Sequence, residues 1–341
     1  MQIGIFGAGS VGCYCGGMLA AHGDAPVLVG RRAMEERLAD GMVLTRHDGP
    51  EKAARKGTFS FSGDAAALAG CDAVLITVKS GDTEAAGNAL AGVLGKDSIV
   101  VSLQNGIGND ARLRRLLPGN RVLAGMVAFN VAQIGDNRFH RGTEGAIAIG
   151  DGKGALSVAA ALVAAGIPAE VRADIEAVQW GKLILNLNNA VNSLSGLPLR
   201  QQLSDRQWRL VLAASVREAL AVVKRAGIRP AKLGKVPPAL IPAILELPDW
   251  LFARLAVSIL KVDENSRSSM AEDLERGRQP EIDWLNGEIV RLAQANGAQA
   301  PVNEAIIEAV KKLFAGKPPV HPDAGAVLAA IAAARRTAGE G

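Results

Sequence analysis

The chain has 341 residues, of which 49% are hydrophobic, 21% charged and only 4% aromatic. That length suffices for two domains with separate cores, and the balance excludes a disordered or low-complexity chain. The formal charge of +4, spread along the sequence, argues for a small anionic ligand and against a nucleic-acid-binding stripe.

The first elements are short and alternate in type. Ile3-Gly4-Ile5-Phe6 predicts a strand, residues 11–22 a helix and Val27-Leu28-Val29 a second strand. Residues 42–62 predict a hairpin insertion, with Met42-Val43-Leu44-Thr45 and Thr58-Phe59-Ser60-Phe61 around a polar middle. Buried strands are expected at 73–78 and 99–103, with further strands at 122–131 and 146–149. Short apolar runs separated by helices are the mark of βαβ units and a parallel sheet.

From about residue 173 the pattern becomes helical. One long helix is expected over 174–194, then helices near 205–226, 238–246, 249–260, 268–277, 283–296 and 302–314. The expected organisation is an α/β N-terminal Rossmann-type dinucleotide-binding domain (residues 1–172) followed by an all-α C-terminal domain (173–316). A helical extension (317–341) completes it.

Gly7-Ala8-Gly9-Ser10-Val11-Gly12 follows the first strand and opens the first helix. The glycines allow a tight turn, close approach of a pyrophosphate and close helix–strand packing, while the helix N-terminus attracts the anion. Gly7, Gly9, Ser10, Val11 and Gly12 are therefore cofactor candidates. The second strand runs into Gly30-Arg31-Arg32, with no acid to hold a ribose hydroxyl. Arg31 or Arg32 would instead meet a 2′-phosphate, which selects NADP. Lys79 and Asn105 stand at the carboxyl ends of later strands, where ligands of open α/β sheets bind.

Trp180-Gly181-Lys182 through Asn189 carries Lys182, Asn186 and Asn189 at i, i+4 and i+7, one helix face in a run of apolar residues. A lysine there, partly desolvated, would have a lowered pKa suited to proton donation. Asparagine is a poor helix former, so Asn186, Asn188, Asn189 and Asn192 mark either a polar network or a substrate pocket.

Cys13, Cys15 and Cys71 are odd in number, and two share the first helix, which argues against a disulfide framework. His22, His47, His140 and His321 have no ligand spacing, so no metal is expected. The first strand begins without a basic leader, and the apolar stretch 239–260 is broken by Pro242, Glu246, Pro248, Asp249 and Arg254. A cytoplasmic protein without membrane contact is expected. The apolar helices of the second half suit a homodimer.

With the glycine loop, the arginines, Val78-Lys79, Gln104-Asn105-Gly106 and the Trp180–Asn186 motif, followed by Ser268-Ser269-Met270 and Glu281-Ile282-Asp283, the chain resembles the ketopantoate reductase (2-dehydropantoate 2-reductase) family from Gln2 to about Phe314. The resemblance implies NADPH-dependent reduction of a 2-oxo acid, 2-dehydropantoate, to (R)-pantoate in pantothenate and coenzyme A biosynthesis. It implies Lys182 as the general acid and Glu281 as the acceptor of the substrate hydroxyl. Asn105 would lie near the nicotinamide and the lysine, with Asn186 and Ser269 on the substrate. The chain departs from the family at Ala190 and Ser266, where asparagines are usual. Asn188, Asn189 or Asn192 is left to complete the pocket, and Asn265 adjoins Ser266. Another 2-oxo acid on the same scaffold, or an NADP-sensing binding protein, are the alternatives.

Overall fold

The first strand, β1 (Ile3–Phe6), lies inside an eight-stranded sheet and sends its side chains alternately to two cores. The computed structural model describes residues 1–259 and 266–339. By contact density they divide into two units, Met1–Ile175 and Glu176–Gly341.

In the first unit β1 is followed by α1 (Ser10–His22), β2 (Val27–Val29), α2 (Arg32–Arg37), β3 (Gly41–Arg46), β4 (Gly49–Arg55) and β5 (Ser60–Ser62). Next come β6 (Ala73–Ile76), α3 (Thr83–Leu90), β7 (Ile99–Ser102), α4 (Asn109–Leu116) and β8 (Arg121–Val127). The unit closes with β9 (Val131–Ile134), β10 (Arg138–Arg141), β11 (Ile147–Gly150), α5 (Ala155–Ala164) and β12 (Ala169–Arg172).

The main sheet has the order β12-β11-β8-β7-β6-β1-β2-β5. Every neighbouring pair in it is parallel except β8 with β11. Strand order reverses between β1 and β6, so the loops leaving their carboxyl ends flank the crevice where such sheets take ligands. Ala73 and Leu75 enter the core on the α1 and α5 side. Val74 and Ile76 enter the one beneath α3 and α4, with Leu90 and Leu113. This two-sided burial explains why these strands read as unbroken apolar runs.

α1 is buried from Gly12 to Ala20 because it has a sheet on each side. A Cβ on Gly16 would meet Leu28 of β2 at 2.9 Å, and one on Gly17 would meet Leu44 of β3 at 2.6 Å. The second sheet, of order β4-β3-β10-β9, corrects the expected hairpin. β3 pairs with β4, whereas Ser60–Ser62 joins the main sheet beside β2. The alternation of residues 58–61 suggested the partner, but β4 is a polar edge strand that buries only Ala54, so its periodicity was hidden. Residues 131–141 supply the other half, and β10 runs parallel to β3.

The second unit holds α6 (Ile175–Asn186), α7 (Asn188–Ser195), α8 (Leu199–Ser204), α9 (Arg206–Arg225), α10 (Ile241–Leu245) and α11 (Asp249–Ile259). It continues with α12 (Ser269–Glu275), α13 (Asn286–Ala295), α14 (Pro301–Ala315) and α15 (Ala324–Gly339). The long helix expected over 174–194 is interrupted at Leu187, and the helix expected at 283–296 starts with a 3-10 turn, Ile282–Trp284. The end of the helix expected over 249–260, and Asn265, lie outside the described residues.

α9 is the central rod, packed by α10, α13, α14 and α15. Its Arg209 is fully buried, a placement that costs several kcal/mol unless every donor is used. The guanidinium donates to the carbonyls of Leu203, Ser204, Leu245 and Leu247 and to the Asp249 carboxylate. Glu218, also on α9, caps α14 by accepting from the Val302 and Asn303 amides, which otherwise have no partner at a helix start. Cys13, Cys15 and Cys71 are buried free thiols.

Candidate functional site

In the first unit the glycine loop leaves β1 and turns at Gly7, whose φ is +112°. The Gly7 and Ala8 amides donate to Val29 O at 2.9 and 3.0 Å, tying the loop to β2. Thr77 Oγ1 donates to Gly7 O at 2.6 Å, tying it to the end of β6. Side chains are excluded at two points. A Cβ on Gly7 would meet the Val78 amide nitrogen at 2.6 Å, and one on Gly12 would strike Gly7 O and Thr77 Oγ1. Over Gly9 there is no atom within 4 Å of such a Cβ.

α1 starts at Ser10 without a side-chain cap, and its first internal bond is Cys13 N to Gly9 O at 2.8 Å. The amides of Ser10, Val11 and Gly12 therefore face outward at the positive end of the helix. Open space over Gly9, backbone donors and a helix dipole together fit a dinucleotide pyrophosphate.

Arg31 and Arg32, equivalent in the sequence, separate in the structure. Arg31 is the exposed residue preceding α2, and its guanidinium has no hydrogen-bond or ion-pair partner among the described residues. Arg32 Nε reaches Glu36 Oε1 at 3.2 Å. That exposed i,i+4 pair contributes at most about 0.5 kcal/mol, but it points Arg32 along its own helix. Gly30 packs on Ala8 and Phe61, which brings the start of α2 beside the glycine loop.

Lys79 and Asn105 follow β6 and β7 and are joined through a buried network. Ser80 Oγ donates to Asn105 O at 2.5 Å, and Asn109 Nδ2 donates to the same carbonyl at 2.8 Å. Gln104 Nε2 donates to Thr83 Oγ1 at 2.7 Å and reaches Lys79 O at 3.4 Å. Ser80, Thr83, Gln104 and Asn109 are all at most 5% exposed. Reading the sequence named Gln104 only within its motif and missed Ser80, Thr83 and Asn109; the i, i+4 spacing of Asn105 and Asn109 was the available signal.

In the second unit Lys182 and Asn186 share α6, one turn apart. Lys182 is partly buried, and its ammonium has no hydrogen bond or ion pair among the described residues. Loss of hydration lowers its pKa to about 8, with no neighbouring charge contributing. Asn186 is buried.

The remaining asparagines divide by role. Asn192 is fully buried; its Oδ1 accepts from the Ser268 amide at 2.9 Å and its Nδ2 donates to Leu197 O at 2.9 Å. Asn188 Oδ1 accepts from Gln202 Nε2 at 3.1 Å. Asn189 is partly buried, and its Nδ2 donates to Ser269 Oγ at 3.3 Å. Ser268 is the buried cap of α12, whereas Ser269 is exposed beside it. Thus the structure brings Asn189 and Ser269 together and uses Asn188 and Asn192 inside the bundle.

Glu281 is partly buried and precedes the 3-10 turn, where its carbonyl accepts from Trp284 N at 3.0 Å. Ala190 is fully buried, and Ser266 accepts through its carbonyl from Leu199 N at 2.8 Å.

Comparison with known proteins shows the family of the chain. The family described as ketopantoate reductase PanE/ApbA matches residues 3–154, and its C-terminal counterpart matches residues 174–314. The chain belongs to the ketopantoate reductase PanE/ApbA family. A crystallised PanE/ApbA family ketopantoate reductase from Ralstonia eutropha JMP134 is 32% identical, with a TM-score of 0.77 over 91% of this chain and 97% of that one. A 2-dehydropantoate 2-reductase of Halobacterium salinarum is 28% identical over 91% of this chain and 98% of its own. D-mandelate dehydrogenase, solved with NADH and anilino(oxo)acetate, shares the fold at 20% identity, with a TM-score of 0.74 over 91% of this chain and 97% of that one.

Proposed function

We propose that the protein catalyses NADPH-dependent reduction of 2-dehydropantoate to (R)-pantoate, in pantothenate and coenzyme A biosynthesis. The observation that carries this is Lys182, an ammonium with a desolvation-lowered pKa and no ion pair among the described residues, in a chain of the ketopantoate reductase family.

The amides of Ser10, Val11 and Gly12 would receive the pyrophosphate beside Gly7 and Gly9. Arg31 would hold the 2′-phosphate, with Arg32 adding charge, and Lys79 and Asn105 would line the nicotinamide end. When bound, NADPH supplies the hydride. Lys182 holds a proton on Nζ and passes it to the substrate oxygen as negative charge develops there. A pKa of about 8 leaves the lysine mostly charged at neutral pH yet a better acid than an ordinary lysine. Asn105 and Asn186 offer amide donors toward the developing oxyanion. Glu281 accepts from the substrate hydroxyl, and Ser269 and Asn189 orient its other polar groups.

Ala190 supports a second reading, another 2-oxo acid on the same scaffold. It is fully buried and offers only a methyl group where the family usually carries an asparagine. The reading extends to a cytoplasmic enzyme; no described helix is long and apolar enough to cross a membrane. It also extends to a homodimer, for which Leu185, Leu240 and Trp250 of the second unit offer exposed apolar surface.

The test is NADPH oxidation, followed at 340 nm, with 2-dehydropantoate and a panel of other 2-oxo acids. Turnover with 2-dehydropantoate supports the first reading, and turnover with a different acid alone replaces it by the second. Tight NADPH binding without any turnover overturns both.

A further inference from the structure

We propose that Asn109 is a positioning residue that sets the orientation of Asn105 through the Asn105 carbonyl. The proposal rests on the reading that Asn105 lies at the nicotinamide end of the cofactor site.

Asn105 is exposed. Its carbonyl, in contrast, accepts two bonds from buried donors, Asn109 Nδ2 at 2.8 Å and Ser80 Oγ at 2.5 Å. Two bonds on one carbonyl fix the peptide plane, and with it the Cα of Asn105 from which the side chain leaves.

Asn109 is the hub. Its Nδ2 serves both Asn105 O and, at 3.1 Å, Ser80 Oγ. Its Oδ1 accepts from Arg112 Nη1 at 3.0 Å and faces the Thr83 hydroxyl at 3.0 Å. Donor and acceptor are both needed, and only a carboxamide has both in this shape. Ser80 and Thr83 belong to the segment after β6 and Asn105 and Asn109 to the segment after β7, so the network holds the Lys79 and Asn105 loops in one register. Asn109 touches neither cofactor nor substrate in this scheme; it acts through Asn105.

Asn109→Asp is the diagnostic change, because it keeps the volume and the acceptor but removes both N–H donors. The variant is compared with the unmodified chain by four measurements: kcat and KM for 2-dehydropantoate, NADPH affinity by fluorescence titration, amide hydrogen exchange over residues 103–110, and thermal melting. Expected is a fall in kcat of about tenfold or more, as misplaced catalytic groups produce, with KM for the acid changed by less than about threefold. Exchange should rise over 105–107 and stay unchanged in the main sheet.

A lowered melting temperature with kcat and local exchange unchanged overturns the proposal, because that is the signature of a merely structural residue. Should Asn109→Asp fail to fold, Ser80→Ala removes one of the two bonds to the same carbonyl. It must shift kcat and exchange in the same direction, and its silence in both overturns the idea equally. If the unmodified chain reduces no 2-oxo acid, the functional reading falls by itself. Exchange over 105–107 and NADPH affinity then still decide the positioning claim, which fails if both are unchanged.

Discussion

The Thr77 hydroxyl and the Gly7 carbonyl, 70 residues apart in sequence, are joined by a 2.6 Å hydrogen bond that closes the glycine loop against the strand across the switch point. The same two groups leave no room for a side chain at position 12. Gly12→Ala must push the helix start away from both, a cost of about 1–3 kcal/mol for overpacking. A lower melting temperature and a loss of NADPH affinity exceeding tenfold are expected, read by thermal melting and fluorescence titration. Unchanged affinity would show that the loop does not cradle the cofactor.

Arg31 and Arg32 carry the same charge but differ in engagement. Arg31→Ala should raise KM for NADPH by about tenfold, the scale of one charge-assisted contact of ~1.5 kcal/mol, and leave KM for NADH unchanged. Arg32→Ala should cost much less, since its guanidinium is drawn toward Glu36. Equal losses from the two changes would dismiss the distinction. Arg31→Asp should reverse the preference between the cofactors by placing a repulsive charge at the phosphate.

Lys182→Ala should abolish turnover while NADPH still binds, and turnover near that of the unmodified chain would remove it as the proton donor. In the unmodified protein kcat should fall as pH rises past about 8, where the ammonium is lost.

The same shift has a signed effect on stability. Between about 8 and the ordinary lysine value of 10.5 the unfolded chain binds more protons than the folded one. Stability contributed by this group therefore rises with pH across that window, and the burial penalty is complete below it. Lys182→Met is expected to be more stable than the unmodified chain at pH 7, by roughly 1–2 kcal/mol, with the advantage fading toward pH 10.5. Denaturant titrations at the two pH values decide this, and a variant less stable at neutral pH would contradict it.

Asn189 and Asn192 should fail in different ways. Asn192→Ala leaves the buried Ser268 amide and Leu197 carbonyl unsatisfied, at a cost of about 2–3 kcal/mol, and lowers the melting temperature. Asn189→Ala removes only the 3.3 Å contact with Ser269, so stability should hold while KM for the acid rises. The reverse pattern would exchange their roles.

The parts of the site that were legible in the sequence are those built from local spacing. The glycine loop could be read because its pattern sits at a strand–helix junction, and Lys182 with Asn186 because one helical turn separates them. Distinguishing Asn189 from Asn192 needed Ser268 and Ser269, some 80 residues away. The network around Asn109 combines residues from the ends of two strands, a convergence that no periodicity reports. The partner of β3 was misread because β4 is polar and β10 lies beyond six intervening strands.

The parallel pairing of β3 with β10 also orders events during synthesis. Thr45 meets its partner His140 95 residues later in the chain, so at roughly 5–20 residues per second the β3–β4 hairpin is made several seconds before its second edge is covered. The main sheet can assemble around β1, β2 and β6 in that interval, but one face of α1 must wait. Completion of the second sheet is therefore paced by translation past Arg141, and until then the edge of β3 is bare.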